Sequence, residues 1–144
     1  MTRSERMQPI KTLADTRERE AGDAVASARR LLGEREQQLE QLRGYRAEYA
    51  ARAAREGAAD AVRLANYHAF LARLAAAVRQ QQELVDAARQ DLERRIAEWQ
   101  ERRVEALSLA KAVDRLATAE RRVADRREQQ ESDERALRAR RPPG

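Results

Sequence analysis

The chain of 144 residues is long enough for one domain, but its composition is not that of a compact globular protein. Charged residues make up 38% and aromatic residues only 3%, so side chains bulky enough to fill a three-dimensional core are scarce. The 30 basic residues are interspersed with 25 acidic ones, which is typical of a solvated helix surface and not of a nucleic-acid-binding tail. Because the sequence has no cysteine, disulfides and thiolate metal sites are excluded.

Alanine, leucine, arginine, glutamate and glutamine dominate the chain, and all five favour helix formation. Such a chain is expected to form a long helix or a coiled coil if its apolar residues recur at helical spacing, whereas high charge without that spacing would indicate disorder. The longest uncharged run, Leu64 to Ala72, is about half the length of a membrane-spanning helix. The N-terminus lacks the apolar centre of a signal peptide. We therefore expect a cytoplasmic protein that does not insert into a membrane.

The first predicted helix covers about residues 5–55, with Pro9 in its first turn, where a missing N–H costs nothing. A turn is predicted at about residues 55–62 because this segment contains Gly57, and Asp60 is the expected N-cap of the next helix. The position of the turn determines which residues of the two helices face each other.

The second predicted helix covers about residues 62–140, because glycine and proline are absent up to the stop signal at Pro142 and Pro143. In both helices apolar residues recur at alternating steps of three and four, the pattern of a coiled-coil seam. The seam of the first helix contains Val25, Ala28, Leu32, Leu39, Leu42 and Tyr49, and that of the second contains Leu64, Leu71, Leu74, Val78, Val85, Ala88, Leu92, Trp99, Ala106 and Val113.

A turn near residue 58 sets an antiparallel register in which residue 10 faces residue 108 and Tyr49 faces Phe70. The last 25 or so residues of the second helix then extend beyond the first as an unpaired overhang. The predicted fold is all-α: a long antiparallel two-helix coiled-coil hairpin, forming one domain over residues 1–144, with the second helix longer than the first. Two extended helices that pair between chains remain an alternative.

A second stripe of residues lies beside the seam near the turn. On a helical wheel it is displaced by roughly 60–90° from the seam residues of each helix, and antiparallel pairing merges its two halves into one flank. Such a stripe either widens the packing of the hairpin or forms a partner-binding surface, and the uncharged run from Leu64 to Ala72 favours the partner surface. Its members are Gln38, Leu42, Tyr45 and Tyr49 on the first helix, and Phe70, Leu74, Ala77 and Gln81 on the second.

The chain lacks the residues that catalysis or cofactor binding would require. His68 is the only histidine, so neither a histidine-pair metal site nor a catalytic triad can form, and we expect it on the helix surface. No phosphate-binding GxxxxGK[ST] loop occurs, and a two-helix hairpin offers no enclosed pocket. The segment from Arg121 to Arg141 is basic, but without base-stacking aromatics it does not favour nucleic acid as a partner. A protein without enzymatic activity, metal or cofactor is predicted.

Several motifs together resemble the FliJ family of flagellar export proteins, and the resemblance covers nearly the whole chain. Trp99 is followed by a pair of arginines in the same way as in that family. The YscO-type proteins of related secretion systems have the same shape and are the nearest alternative. The other matching segments are L-x-x-Y-R-x-E-Y (Leu42 to Tyr49), N-Y-H-A-F-L-x-R-L (Asn66 to Leu74), A-V-x-Q-Q (Ala77 to Gln81) and E-Q-Q-E-S-D-E (Glu128 to Glu134).

The resemblance implies a function that the residue pattern alone does not. FliJ proteins are hairpins similar to the central stalk of rotary ATPases; they link the hexameric export ATPase FliI to the export gate FlhA, and they handle empty export chaperones. The family's gate-facing surface matches the eight stripe residues, although Gln81 stands where a histidine is expected. The ATPase is expected to contact the end that carries the termini. The resemblance also implies that the protein is located peripherally at the flagellar base on the inner membrane. A coiled-coil scaffold or spacer without an export role is the alternative.

Overall fold

A computed structural model describes residues 1–57 and 60–141, and these residues form two α-helices and no strand. Helix α1 covers Arg3–Glu56 and has 54 residues, whereas helix α2 covers Ala61–Arg140 and has 80. The helices pack against each other in opposite directions, so the predicted all-α hairpin with a longer second helix is confirmed. The predicted stop at Pro142–Gly144 and turn residues 58 and 59 lie outside the described residues.

A capping box fixes the start of α1. The backbone N–H of Thr2 donates to Glu5 Oε2 at 3.0 Å, and the backbone N–H of Glu5 donates to Thr2 Oγ1 at 3.2 Å. The helix therefore begins at Arg3, and Pro9 lies inside it rather than in its first turn as the sequence predicted. Pro9 cannot donate to the carbonyl of Glu5, and its ring crowds that carbonyl, so it weakens the second turn of α1.

The turn uses one glycine and one aspartate. Gly57 has φ of 66°, a left-handed conformation that side chains disfavour, and its N–H donates to the carbonyl of Ala53 at 3.0 Å as α1 ends. Asp60 Oδ1 accepts the backbone N–H of Arg63 at 2.7 Å, so Asp60 is the N-cap of α2. Leu64, predicted to lie in the seam, is instead 43% exposed because it occupies the first turn of α2, where α1 has nearly ended.

The helix pair divides into two units, one with Met1–Arg19 and α2 from Gln100 onward, the other with Glu20–Trp99. In the unit of residues 20–99, Val25, Ala28 and Leu39 of α1 are buried, as are Val85 and Ala88 of α2. Val85 is the most buried, with 1% of its surface exposed. Small and branched seam residues allow the helices to approach closely, as in a coiled coil.

Gly22 lies against the ring of Trp99. A Cβ placed on Gly22 would lie 3.5 Å from Trp99 Nε1 and 3.6 Å from Trp99 Cδ1. The indole therefore packs directly over the backbone of α1, which explains why the lone tryptophan of the chain occupies a seam position opposite a glycine.

In the other unit, Ala14 of α1 is buried together with Ala106 and Val113 of α2. The first turn of α1 is attached to α2 through Ser4, which is also buried. Its backbone N–H donates to Glu120 Oε1 at 3.0 Å, and its hydroxyl donates to Glu120 Oε2 at 2.5 Å. Beyond Glu120 every described residue of α2 is exposed, which is the overhang that the register predicted.

The contact between Ser4 and Glu120 predicts a dependence of stability on pH. The Ser4 hydroxyl, and then the Ser4 N–H, bind the charged carboxylate and lower the pKa of Glu120 below the usual value. This stabilisation is therefore complete above the unfolded-state pKa, and it is lost as the pH falls through the lower pKa of the folded state. Urea unfolding at a series of acidic pH values measures this effect. The free energy of unfolding of the unsubstituted chain should fall as the pH is lowered, and the Glu120→Gln variant should show a smaller fall.

The matched control is Glu128→Gln, which neutralises an exposed carboxylate of the overhang. The unfolding profile of this variant should follow that of the unsubstituted chain. An identical pH dependence for the Glu120→Gln and Glu128→Gln variants would show that the Ser4 contact contributes nothing to stability.

Candidate partner-binding surface

An aromatic cluster ties the two helices together near the turn. The ring of Tyr49 stacks on Tyr67, with centroids 4.8 Å apart and planes at 11°, and it packs at 50° against Phe70, with centroids 4.4 Å apart. The hydroxyl of Tyr67 donates to the carbonyl of Tyr49 at 2.5 Å. Burial, and then the neighbouring Tyr49, raise the pKa of Tyr67 above its usual value. The predicted pairing of Tyr49 with Phe70 is thus present, and Tyr49 serves mainly in packing.

The stripe residues differ in what they leave exposed. Tyr45 is 61% exposed and Phe70 39%, so both rings offer surface to a partner. Gln38 is exposed as well, and Gln81 is the one stripe residue that is buried, with 9% of its surface exposed. The half-buried members are Leu42, Tyr49, Leu74 and Ala77.

Gln81 lies in the seam and not beside it. Its side-chain amide donates to the backbone carbonyl of Arg35 and to Gln38 Oε1, both at 3.1 Å. Arg35 Nη1 lies 3.5 Å from the same oxygen. Steps of three and four from Val78 and to Val85 place Gln81 at a seam position that the apolar pattern left empty. Gln81 therefore holds the side-chain oxygen of Gln38, and its bonds across the seam favour the register in which they form.

The two sides of the seam differ in chemistry. On one side Glu36 forms an ion pair with Arg89 at 3.8 Å, and Arg43 Nη2 donates to Gln82 Oε1 at 3.1 Å. We call this side, defined by these four residues, the paired flank. On the opposite side the columns next to the seam carry no charge between residues 31 and 45 of α1 and between residues 70 and 84 of α2, although the next heptad positions, Arg52, Arg63 and Asp91, are charged. This apolar flank consists of Leu31, Gln38 and Tyr45 on α1 and Phe70, Ala77 and Leu84 on α2.

A comparison with known families decides the identity of the chain. The sequence profile of the family described as flagellar FliJ protein matches residues 3–142, nearly the entire chain. The chain belongs to the FliJ family. Comparison with curated protein sequences and with solved structures gives no significant match. Membership makes this chain a component related to flagellar protein export, from a family that is not catalytic.

In the part of the chain that the structure describes, no other group of side chains forms a candidate site of this size. His68 is exposed and contacts the ring of Tyr67 edge-on, with centroids 6.2 Å apart. An open cleft beside the turn, of about 590 Å³, has Leu71 together with the charged Glu56 and Arg63 in its lining. Within residues 1–57 and 60–141, no cluster of histidine and carboxylate side chains could hold a metal ion. Neither described helix has a stretch long and apolar enough to cross a membrane.

The stripe predicted from the sequence does not include two members of the apolar flank. Leu31 is 41% exposed and Leu84 is 40% exposed. Each lies seven residues from a predicted member, Gln38 and Ala77 respectively, and therefore two helical turns along the same column. Extending the stripe by one heptad in each helix would have found them.

Proposed function

We propose that this FliJ-family protein is a coupling stalk of the flagellar export apparatus that links the export ATPase FliI to the export gate FlhA. The observation that carries the proposal is the contrast between the two flanks of the seam. On a chain dominated by charge, one flank is free of charge over two heptads of each helix, residues 31–45 and 70–84, and exposes two aromatic rings, Tyr45 and Phe70. Exposed aromatic residues on a rigid element are common anchors of protein interfaces.

The gate site is proposed to be formed by the eight stripe residues, which contribute in different ways. Tyr45 and Phe70 supply the exposed contact area, and Tyr49 supports Phe70 by packing against its ring. Gln81 acts through Gln38, whose side-chain oxygen it holds, rather than by touching the partner. The four remaining contacts are Gln38, Leu42, Leu74 and Ala77.

The ATPase contact is proposed for the unit that carries both termini. From residue 121 onward α2 has no helix beside it, and Val123 and Leu137 are 47% and 65% exposed. Both continue the heptad of Leu116, so they form the extension of the seam past the end of α1. A helix that continues its seam without a partner is suited to pack against another protein, and the ATPase ring is that protein in our proposal.

Hydrogen exchange should separate the overhang from the paired helices. In the chain alone, amides beyond residue 120 should exchange quickly, because only local helix propensity protects them, whereas those around Val85 should exchange slowly. Addition of the export ATPase should slow exchange around Val123 and Leu137. Protection in the isolated chain equal to that at Val85 would contradict an unpartnered overhang.

Location and chaperone handling follow from the same proposal. In this proposal the protein lies at the cytoplasmic face of the flagellar base on the inner membrane, where its protein partners hold it. Empty export chaperones are a third class of partner, for which the apolar flank and the overhang are both accessible.

Binding assays with the purified chain test the proposal. The chain should bind both the export ATPase and the cytoplasmic region of the export gate protein. Removing residues 121–144 should weaken binding to the ATPase and leave binding to the gate protein unchanged. If neither protein binds, or if substitutions on both flanks and in the overhang leave both affinities unchanged, the protein is a scaffold or spacer and not a coupling stalk.

A further inference from the structure

The apolar flank is longer than the gate site predicted from the sequence. Its α1 column runs from Leu31 to Tyr45 and its α2 column from Phe70 to Leu84, and each column spans two heptads. The leucines at its far end are about as exposed as Phe70, at 41% and 40% against 39%. A surface needed only to close the hairpin near the turn would not extend this far from the aromatic cluster.

Observed contacts place both columns on the same side of the seam. Glu36 and Arg43 meet Arg89 and Gln82 on the paired flank, and these residues immediately follow seam residues on their helices. Residues that immediately precede a seam position must therefore lie on the other side in both helices. Every member of the apolar flank precedes a position of the seam heptad, as Gln38 precedes Leu39, and Tyr45 precedes Arg46, an exposed residue seven positions after Leu39.

The dimensions of the apolar flank fit one helix. Fifteen residues of helix span about 21 Å, which equals four helical turns. Two packed helices leave a shallow groove on each side of their seam, and a third helix laid in such a groove packs at about 8–10 Å from both. Helix-in-groove recognition uses apolar anchors at helical spacing, and the flank offers three residues on each wall.

The edges of the apolar flank carry charges of opposite sign. Glu34 and Glu48 border it on the α1 side, and Arg73 borders it on the α2 side. All three are exposed, and none forms an ion pair with another described residue. A helix that fills the groove would match these edges with basic residues towards α1 and an acidic residue towards α2.

We propose that the apolar flank, from Leu31 and Leu84 to Tyr45 and Phe70, is a groove for one amphipathic helix of the export gate protein. The bound helix carries an apolar stripe of about four turns, with basic residues on the edge that faces α1 and an acidic residue on the edge that faces α2. The identity of the partner rests on the function proposed above, whereas its helical form and charge pattern rest on the groove.

Substitution of the two far leucines tests the groove. Leu31→Gln combined with Leu84→Gln should lower the affinity of the full chain for the purified cytoplasmic region of the gate protein by about tenfold or more. The matched control is Leu13→Gln combined with Leu107→Gln, because these leucines are exposed by 50% and 51% and lie off the flank. The control should change the affinity less than twofold, and circular dichroism should show the same helicity for both variants.

Two further measurements identify the occupant. Glu34→Lys combined with Glu48→Lys should weaken binding, most strongly at low salt. A photo-crosslinker at position 31 or 84 should label gate-protein residues spaced three or four apart. Labelling at a spacing of two, or self-association of the chain that depends on the flank, would overturn the assignment to a gate helix.

The outcomes separate this inference from the proposed function. If the Leu31/Leu84 variant binds as the unsubstituted chain does while a Tyr45/Phe70 variant does not, the groove is wrong and the gate site near the turn stands. If both variants bind normally, the proposed link to the gate fails as well.

Discussion

Tyr45→Ala combined with Phe70→Ala should abolish binding to the export gate protein while the hairpin stays folded. Tyr45 is 61% exposed, so its truncation removes mainly contact area for a partner. Phe70 is 39% exposed and also loses its packing against Tyr49, which should lower the stability of the hairpin without unfolding it. An aromatic anchor near the centre of an interface typically contributes about 2 kcal/mol or more, which corresponds to some thirtyfold in affinity for each ring. Isothermal titration with the gate protein measures the loss, and impaired swimming should accompany it.

Two controls make this experiment specific. Ile10→Ala combined with Leu13→Ala removes comparable apolar surface, exposed by 53% and 50%, from the other unit and should leave gate binding unchanged. Tyr49→Ala should instead lower the melting temperature, because its ring stacks on Tyr67 and packs against Phe70. If the Tyr45/Phe70 variant unfolds, the rings belong to the core; if it folds and binds normally, the gate site lies elsewhere.

Leu39→Ala should destabilise the hairpin by about 2–5 kcal/mol, because it opens a cavity in the seam. Leu39 is 5% exposed, and the alanines and valines around the seam are too small to close the gap. Chemical denaturation followed by circular dichroism should show the midpoint shifted to lower denaturant concentration. Leu71→Ala should have a smaller effect, since Leu71 is only half-buried.

Leu31→Ala is the matched control for stability, since it truncates the same side chain on the same helix at a position 41% exposed. Its free energy of unfolding should change by less than about 1 kcal/mol. Equal destabilisation by both substitutions would show that the apolar flank is part of the packing and not a surface for a partner.

The fold could be predicted from the sequence because its main determinants are local. The helical spacing of apolar residues defines the seam, and Gly57 and Asp60 mark the turn by their backbone preferences. The attachment of Ser4 to Glu120 was not predictable, because it joins a polar residue to a carboxylate 116 positions away and has no periodic signal. The exposure of Leu64 depends on where α1 ends, which periodicity does not specify.

The candidate site was predictable only in part. The seven-residue spacing from Gln38 to Tyr45 and from Phe70 to Ala77 marks one side of each helix, and this was enough to find the flank. The apolar pattern does not single out Leu31, because the adjacent Leu32 already satisfies the seam spacing. The apolar pattern does not include Gln81 in the seam because a polar residue is not expected there, although its spacing from Val78 and Val85 fits, and its burial and its hydrogen bonds across the helices establish the position.

A bridging assay tests the coupling role most directly. Immobilised export ATPase should capture the cytoplasmic region of the gate protein only when the chain is present. The Tyr45→Ala/Phe70→Ala variant should still bind the ATPase but should no longer capture the gate protein. A chain ending at Glu120 should no longer bind the ATPase, while it should still bind the gate protein. Capture of the gate protein by both altered chains, at the level of the unsubstituted protein, would contradict a stalk that joins the two through separate surfaces.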